Sequence, residues 1–143
     1  MNATTADINA VVKSMLGIRY VCNGRDPGVG LDCWGLVTEF FKRLKGVDLG
    51  EVAFKYATKN WWKKERREIF HIYRPDEFVE ISELEPLCIM TFKVLGSKVA
   101  NHSGIALNGN RFFNTDIFSG CHVTKLDGLI ALKHKAYRFE LNG

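Results

Sequence analysis

The spacing of apolar residues predicts helices in the first part of the chain. After Asp7, apolar side chains recur at helical spacing and the pattern stops at Gly17, so we expect a first helix with Asp7 as its N-cap. A second apolar stripe begins after Asp32, a good N-cap residue, and ends near Gly46. A third helix, rich in tryptophan and basic residues, is expected over residues 59–70.

Beyond Pro75 the pattern changes to short segments typical of strands. Five strands are expected, over residues 78–81, 87–94, 103–107, 111–116 and 136–141. Helices followed by a run of strands predict an α+β fold, in which N-terminal helices pack on a central antiparallel sheet. A chain of 143 residues fits a single domain, residues 1–143.

Composition and charge change this picture little. The net charge of +4 is mild and favours an anionic partner, such as a bacterial wall polymer or nucleic acid, without choosing between them. Much of the excess lies in residues 63–67, where a solvated helix face and a binding patch both remain open. Because this cluster is the only support for nucleic-acid binding, no nucleic-acid partner is predicted. The N-terminus lacks the features of a secretory signal, and no apolar run approaches the ~20 residues of a membrane span. We therefore expect cytoplasmic synthesis and no membrane insertion.

One of the four cysteines has unusual surroundings. The four are too widely spaced for a zinc site or a CxxC redox pair, so no metal is predicted. Cys22, Cys88 and Cys121 lie among apolar neighbours and are expected to be buried, inert thiols. Cys33 directly follows Asp32 and falls in the first turn of the second helix. The helix dipole and exposed amides there are expected to lower the thiol pKa and to suit an oxyanion.

A hairpin signal, Asn-Gly-Asn at residues 108–110, separates two of the predicted strands. If those three residues form the loop, His102 lies opposite Asp116, and Asn114 projects from the same face of the hairpin. A two-residue loop would shift the pairing by one residue and break this arrangement. A thiol nucleophile needs a base, and the base needs an orienting acceptor. Cys33, His102 and Asn114 supply these roles, with Asp116 as the rival acceptor, although residue types alone favour a purely structural interpretation. The other histidines are expected to be surface or strand residues without acidic partners: His71, His122 and His134.

Three segments resemble the signature motifs of NlpC-type cysteine peptidases. They are residues 20–24, Asp-Cys-Trp-Gly-Leu-Val at 32–37, and His-Ser-Gly-Ile-Ala-Leu at 102–107. Their order and spacing agree with the family over residues 8–140. The resemblance implies a circularly permuted papain-like fold that works without a cofactor. It assigns the site residues as follows: Cys33 as nucleophile, His102 as base, Asn114 as the third polar residue, and Tyr20 and Asp32 as contacts for the amino end of the substrate.

The resemblance also implies a substrate. The family acts on stem peptides of bacterial peptidoglycan, commonly at a γ-D-glutamyl bond. Two positions depart from the family pattern. Trp34 stands where the family usually has serine, in the part of the substrate pocket that receives the amine, and Leu87-Cys88 replaces a usual Gly-Asp pair.

The sequence of residues 32–37 is similar to the branch of this family found in tail proteins of phages and gene-transfer particles. The expected protein is therefore a tail-tip peptidoglycan endopeptidase that the particle carries to the cell wall, with other tail-tip proteins as partners. Two alternatives remain open. One is a non-enzymatic tail assembly component that retains the fold, and the other is an amidase effector of a secretion system.

Overall fold

The computed structural model describes residues 3–47, 77–93 and 102–140. The helix predicted over residues 59–70 lies outside the described residues. The described helices are α1 (Thr5–Met15), α2 (Cys33–Lys45) and α3 (Asp127–Ile130). The described strands are β1 (Arg25–Asp26), β2 (Gly30–Leu31), β3 (Phe78–Ile81), β4 (Ile89–Phe92), β5 (His102–Leu107), β6 (Arg111–Asp116), β7 (Gly120–Lys125) and β8 (Lys135–Phe139).

The predicted α+β architecture is confirmed. Six strands form one antiparallel sheet in the order β3-β8-β4-β5-β6-β7, and β1 and β2 form a separate two-stranded ribbon. The N-terminal helices pack on the sheet, because α2 contacts α1 on one side and β5 and β6 on the other. Among the described residues, the helices lack the length and apolar character that a membrane crossing requires.

The two N-terminal helices differ in how well their ends were predicted. Helix α1 begins one turn earlier than expected, because Thr4 is its N-cap and Asp7 closes a reciprocal capping box with it. The prediction of Asp7 as N-cap is therefore wrong. Helix α2 starts after the N-cap Asp32 and ends at Gly46, whose φ of 67° is left-handed, as a helix-terminating glycine requires.

The sheet has one strand that the sequence pattern did not predict. Strands β3 and β6 have the predicted bounds, and β4, β5 and β8 lie within one or two residues of them where the structure describes both. Strand β7 was missed because the turn before it was not recognised. In that turn Asp116 Oδ1 accepts hydrogen bonds from the backbone N–H groups of Phe118 and Ser119, and Gly120 follows with a φ of 65°.

The two faces of the sheet carry separate apolar clusters. Ile105 and Phe113 face α2 and belong to the main core, which includes Leu36 and Phe40 of that helix. The alternate residues of the same strands face the opposite side. There Phe112 packs with a second cluster at Leu126, Ala106, Met90 and Phe92. Since side chains alternate along a strand, the face on which each site residue lies follows from its position in the strand.

Leu87 explains one departure from the family pattern. Its φ is 73°, a left-handed conformation that favours glycine, and it stands just before β4 where the family usually has glycine. The leucine side chain packs against the main core. Burial of apolar surface here offsets a backbone strain of about 1–2 kcal/mol.

Gly35 allows the loop before α2 to approach the helix closely. A Cβ atom at Gly35 would lie 2.1 Å from the carbonyl oxygen of Gly24, a backbone atom that can only be accommodated by a shift of the loop. We expect Gly35→Ala to lower the free energy of unfolding by about 1–3 kcal/mol, measured by urea denaturation.

Gly128→Ala is the matched control, because it is also a helical glycine but has nothing within 4 Å of the added Cβ. Alanine there is expected to be neutral or stabilising by less than about 1 kcal/mol. Equal effects of the two substitutions would contradict the close approach at Gly35.

Candidate active site

Cys33 is the first residue of α2, and Asp32 fixes that end of the helix. The Asp32 carboxylate accepts a hydrogen bond from the Gly35 backbone N–H at 2.8 Å, and the Asp32 carbonyl accepts the first helical bond from Leu36 at 2.8 Å. The Cys33 side chain borders the main core, and the residue is 7% exposed. The predicted position of Cys33 at a capped helix start is therefore what the structure shows.

The same carboxylate also binds the preceding loop. Asp32 Oδ1 lies 2.6 Å from Arg25 Nη1, and Asp32 Oδ2 accepts from the Asn23 backbone N–H at 3.1 Å. Arg25 in turn donates to the Gly24 carbonyl at 2.9 Å. Asp32 is 2% exposed, so its charge is paired inside the protein. A substrate ammonium group, the partner expected from the family resemblance, would have to compete with Arg25.

Tyr20 lies close to the same charges. It forms an isolated bridge with Leu31 and remains partly exposed. Burial raises the pKa of the Tyr20 phenol, and the neighbouring Cys33 and Asp32 raise it further. Tyr20 therefore offers a neutral hydroxyl beside the thiol.

The thiol of Cys33 is protonated at neutral pH. Burial raises its pKa to about 12, and Asp32 acts in the same direction, while hydrogen bonding from Ser103 and the charge of Arg25 act against them. The expected lowering of this pKa by the helix end is not found, because loss of solvation is the larger effect. A base must therefore remove the proton before Cys33 can react.

The hairpin between β5 and β6 has the register that was predicted. Leu107 pairs with Arg111, so residues 108–110 form a three-residue loop. Continued along both strands, this register sets His102 opposite Asp116. His102, Asn114 and Asp116 all line one cavity of about 650 Å³ on the face of the sheet away from α2.

The surroundings of His102 differ from those of Cys33. Its ring lies 5.9 Å from that of Phe92, and burial lowers its pKa, whereas Asp116 raises it and His122 lowers it. Asn114 donates its amide to Thr124 Oγ1 at 3.3 Å and to a backbone carbonyl of its own strand. The anion that acts on the imidazole is thus Asp116.

Helix α2 and strand β5 come together where both begin, at Cys33 and at Ser103, the neighbour of His102. Ser103, the residue after His102, donates from Oγ to the Cys33 carbonyl at 3.4 Å. Side chains alternate along β5, so Ser103 faces α2 and His102 faces the cavity. His102 is the first residue of the strand, and its imidazole therefore lies at the end of the sheet rather than beneath its middle.

Comparisons with known proteins identify the family of this chain. Residues 17–136 match the model of the NlpC/P60 family. The chain belongs to the NlpC/P60 family. It is a papain-like cysteine peptidase of a family of peptidoglycan hydrolases, which confirms the prediction of an enzyme. A comparison with proteins of curated function gives no match.

Solved NlpC/P60 structures share the fold at low sequence identity. The NlpC/P60 domain of the peptidoglycan hydrolase SagA has a TM-score of 0.63 at 18% identity, over 95% of this chain and 99% of that one. NlpC2 from Trichomonas vaginalis has a TM-score of 0.66 at 17% identity, over 97% and 48%. A lipoprotein-like NLP/P60 protein from Staphylococcus aureus has a TM-score of 0.64 at 21% identity, over 99% and 45%. The chain spans less than half of the last two proteins, and at these identities the likeness shows the fold alone.

Trp34 does not occupy the exposed position that a substrate contact requires. Its side chain is fully buried in the main core of this NlpC/P60 domain, beside Cys33 in the first turn of α2. The indole buries more apolar surface than the serine usual in the family, which draws it inward. Direct contact with substrate, predicted for Trp34, would need a rearrangement of the core.

Three residues near the site were not predicted from the sequence. Ser103 contacts Cys33, and the only signal for it was its place after His102 on the predicted strand. Arg25 pairs with Asp32, but a basic residue in a glycine-rich loop does not reveal its partner. His122 was expected to have no acidic partner, yet its Nε2 lies 3.6 Å from Asp116 Oδ2. That expectation is wrong, because it depended on recognising β7 next to β6.

Removal of the Asp32 carboxylate should loosen the helix end that carries Cys33. We expect Asp32→Ala to lower the free energy of unfolding by about 3–5 kcal/mol, because the largely buried Arg25 is left without its anion and the helix loses its cap. Urea denaturation measures the change. Asp26→Ala, in the same loop but exposed, should cost about 1 kcal/mol or less. A similar small cost at Asp32 would show that the ion pair contributes little.

The raised pKa predicts how alkylation of Cys33 depends on pH. Between pH 7 and pH 10 its rate with iodoacetamide should rise roughly tenfold per pH unit, because the thiolate fraction grows by that factor below the pKa. Peptide-resolved mass spectrometry separates Cys33 from the other thiols. A rate that is already constant from pH 6 upward would instead indicate a preformed thiolate–imidazolium pair.

Proposed function

We propose that this NlpC/P60 domain is an endopeptidase that cleaves amide bonds in peptidoglycan stem peptides through a thioester on Cys33. The observation that carries the proposal is the position of Cys33 in the first turn of a capped helix, against the start of the strand that His102 begins. This arrangement supports Cys33 as nucleophile, with the amides of the first turn of α2 around it, and His102 as its base.

The reaction begins from a neutral thiol and a neutral imidazole. His102 takes the proton of Cys33 as the sulfur attacks the carbonyl carbon, and the carbonyl oxygen becomes an oxyanion beside the amides of the first turn of α2. His102 then gives the proton to the leaving amine as the C–N bond breaks. Water, activated by the same imidazole, hydrolyses the thioester and restores the thiol.

The substrate is inferred from the family and from the cavity beside the base. The solved domain of SagA belongs to a peptidoglycan hydrolase. In this chain the cavity carries Lys93 and Lys125 on an otherwise largely apolar lining. Stem peptides combine carboxylates with aliphatic stretches, so this lining suits them in charge and in polarity.

The cellular setting rests on the sequence resemblance. We propose a tail-tip enzyme of a phage or gene-transfer particle, supported by the likeness of residues 32–37 to that branch of the family. In that setting the particle brings the protein to the cell wall, and neighbouring tail proteins are its partners. The burial of Cys33 favours one alternative, a tail assembly component without activity.

Substitution of the site residues separates these two functions. We expect Cys33→Ala to reduce cleavage of purified stem peptides by at least about 10⁴-fold, because no other group replaces the sulfur nucleophile. His102→Ala should be similarly impaired, whereas Asn114→Ala should retain measurable activity, since it contacts neither reacting group directly. Chromatography with mass spectrometry of the released peptides measures all three.

The control is Cys22→Ala, which removes a thiol outside the proposed machinery and should leave the rate unchanged. The free energy of unfolding of Cys33→Ala should differ from wild type by about 1 kcal/mol or less, so that loss of activity is not loss of fold. If wild type and Cys33→Ala are equally inert on several wall types while both assemble into particles, the structural function is correct.

A further inference from the structure

Three neighbouring strands bring two imidazoles and one carboxylate into the same cavity. His102 comes from β5, Asp116 from β6 and His122 from β7, and all three line it. Along β6 and β7, Asn114 pairs with His122 and Asp116 with Gly120. His122 is therefore diagonal to Asp116 on one face of the sheet, and its Nε2 lies 3.6 Å from Asp116 Oδ2.

Asp116 is held in place by the turn that follows it. Its Oδ1 accepts hydrogen bonds from the backbone N–H groups of Phe118 at 2.8 Å and Ser119 at 2.7 Å. These bonds fix the carboxylate and lower its pKa, so it is an anion at neutral pH. Its second oxygen, Oδ2, is directed towards His122.

His122 is held from its other side. Its Nδ1 lies 2.7 Å from the Gly120 carbonyl, and because a carbonyl only accepts, Nδ1 carries a proton. The other ring nitrogen, Nε2, faces Asp116 Oδ2 at 3.6 Å, so the ring is held between the Gly120 carbonyl and the Asp116 carboxylate.

Asn114 is less suited to stabilise a charged imidazole. Its amide nitrogen already donates to Thr124 Oγ1, and the residue is 7% exposed. An amide also has no net charge to compensate an imidazolium, whereas a carboxylate does. Of the two candidate acceptors on β6, Asp116 has the charge and the fixed geometry.

We propose that Asp116 is the positioning residue that stabilises the imidazolium of His102 after proton transfer, and that His122 holds Asp116 and tunes its effect. This inference rests on the proposed function, in which His102 takes the proton of Cys33. It assigns the orienting role to a carboxylate–imidazole pair on β6 and β7 rather than to Asn114.

The charged groups around His102 determine whether a substitution should raise or lower its pKa. Asp116 raises the pKa of His102 and His122 lowers it, against a background of burial that lowers it most. The remaining charged groups of the cavity, as the described residues form it, are Lys93 and Lys125. Both are cationic, so neither can compensate an imidazolium. Asp116 is the anion in that lining, so its removal should have the larger chemical consequence.

The test is an NMR titration of the His102 imidazole, assigned by its loss in His102→Gln. Asp116→Asn keeps an oxygen for the turn but removes the charge, and should lower the pKa of His102. His122→Asn retains a donor for the Gly120 carbonyl but removes the imidazole, and should raise the pKa of His102. A general loosening of the fold would not lower the pKa of His102 in one variant and raise it in the other. His122→Gln provides a second variant if His122→Asn fails to fold.

Activity gives the second readout. Asp116→Asn should lower kcat/KM by about 10–100-fold, a part of the ~10²–10⁴-fold that general acid–base catalysis contributes. It should also move the acidic limb of the pH profile to lower pH, because a base with a lower pKa stays unprotonated in more acidic solution. Asn114→Ala should leave that limb in place.

The results distinguish failure of the proposed function from failure of the role assigned to Asp116. If wild type does not cleave peptidoglycan, the proposed function fails, while the titration still reports whether Asp116 and His122 act on His102. If Asp116→Asn leaves both the His102 titration and the pH profile unchanged, or if Asn114→Ala alone shifts them, the assignment of Asp116 is overturned.

Discussion

The presentation of Cys33 depends on the buried carboxylate of Asp32. Its oxygens bind Arg25, the Asn23 backbone and the first turn of α2, so a single side chain joins the loop to the helix. A buried carboxylate is costly without such partners, and the loop and the helix end therefore have to form together. Gly35 permits this union, because any larger residue would meet the Gly24 carbonyl. These contacts explain why the loop, the N-cap Asp32 and Cys33 lie so close together in the sequence.

Burial has opposite effects on the pKa values of Cys33 and His102, the thiol and the base of the proposed mechanism. It raises the pKa of Cys33 and lowers that of His102, so both favour their neutral forms in the resting protein. In the proposed mechanism, charge separation occurs only when the substrate carbonyl is present to receive it. The end of α2 would then stabilise the oxyanion, and Asp116, on the cavity side, the imidazolium. The thiol of the resting protein is therefore unreactive. The groups that would stabilise the oxyanion and the imidazolium lie on different elements of the fold.

The sequence predicted the elements whose signals are local. The capped start of α2 and the three-residue hairpin loop were predicted correctly, because an N-cap and an Asn-Gly-Asn turn act on neighbouring residues. Features that depend on distant contacts were not. The position of His122 next to Asp116 required strand β7, and the burial of Trp34 depended on the packing of α2 against the sheet. The raised pKa of Cys33 was missed for the same reason, since desolvation is set by the surrounding core rather than by the helix end.

The departures from the family pattern change which parts of the site carry charge. Near Tyr20, the carboxylate of Asp32 is neutralised by Arg25, and Trp34 turns into the core instead of adding a hydroxyl. The phenol of Tyr20 there is neutral, so it can offer a substrate a hydrogen bond but no ionic attraction. Further charged side chains, those of Lys93, Lys125 and Asp116, line the cavity beside His102. Under the proposed function, a substrate carboxylate would therefore find cationic partners beside His102 and could gain only a hydrogen bond at Tyr20.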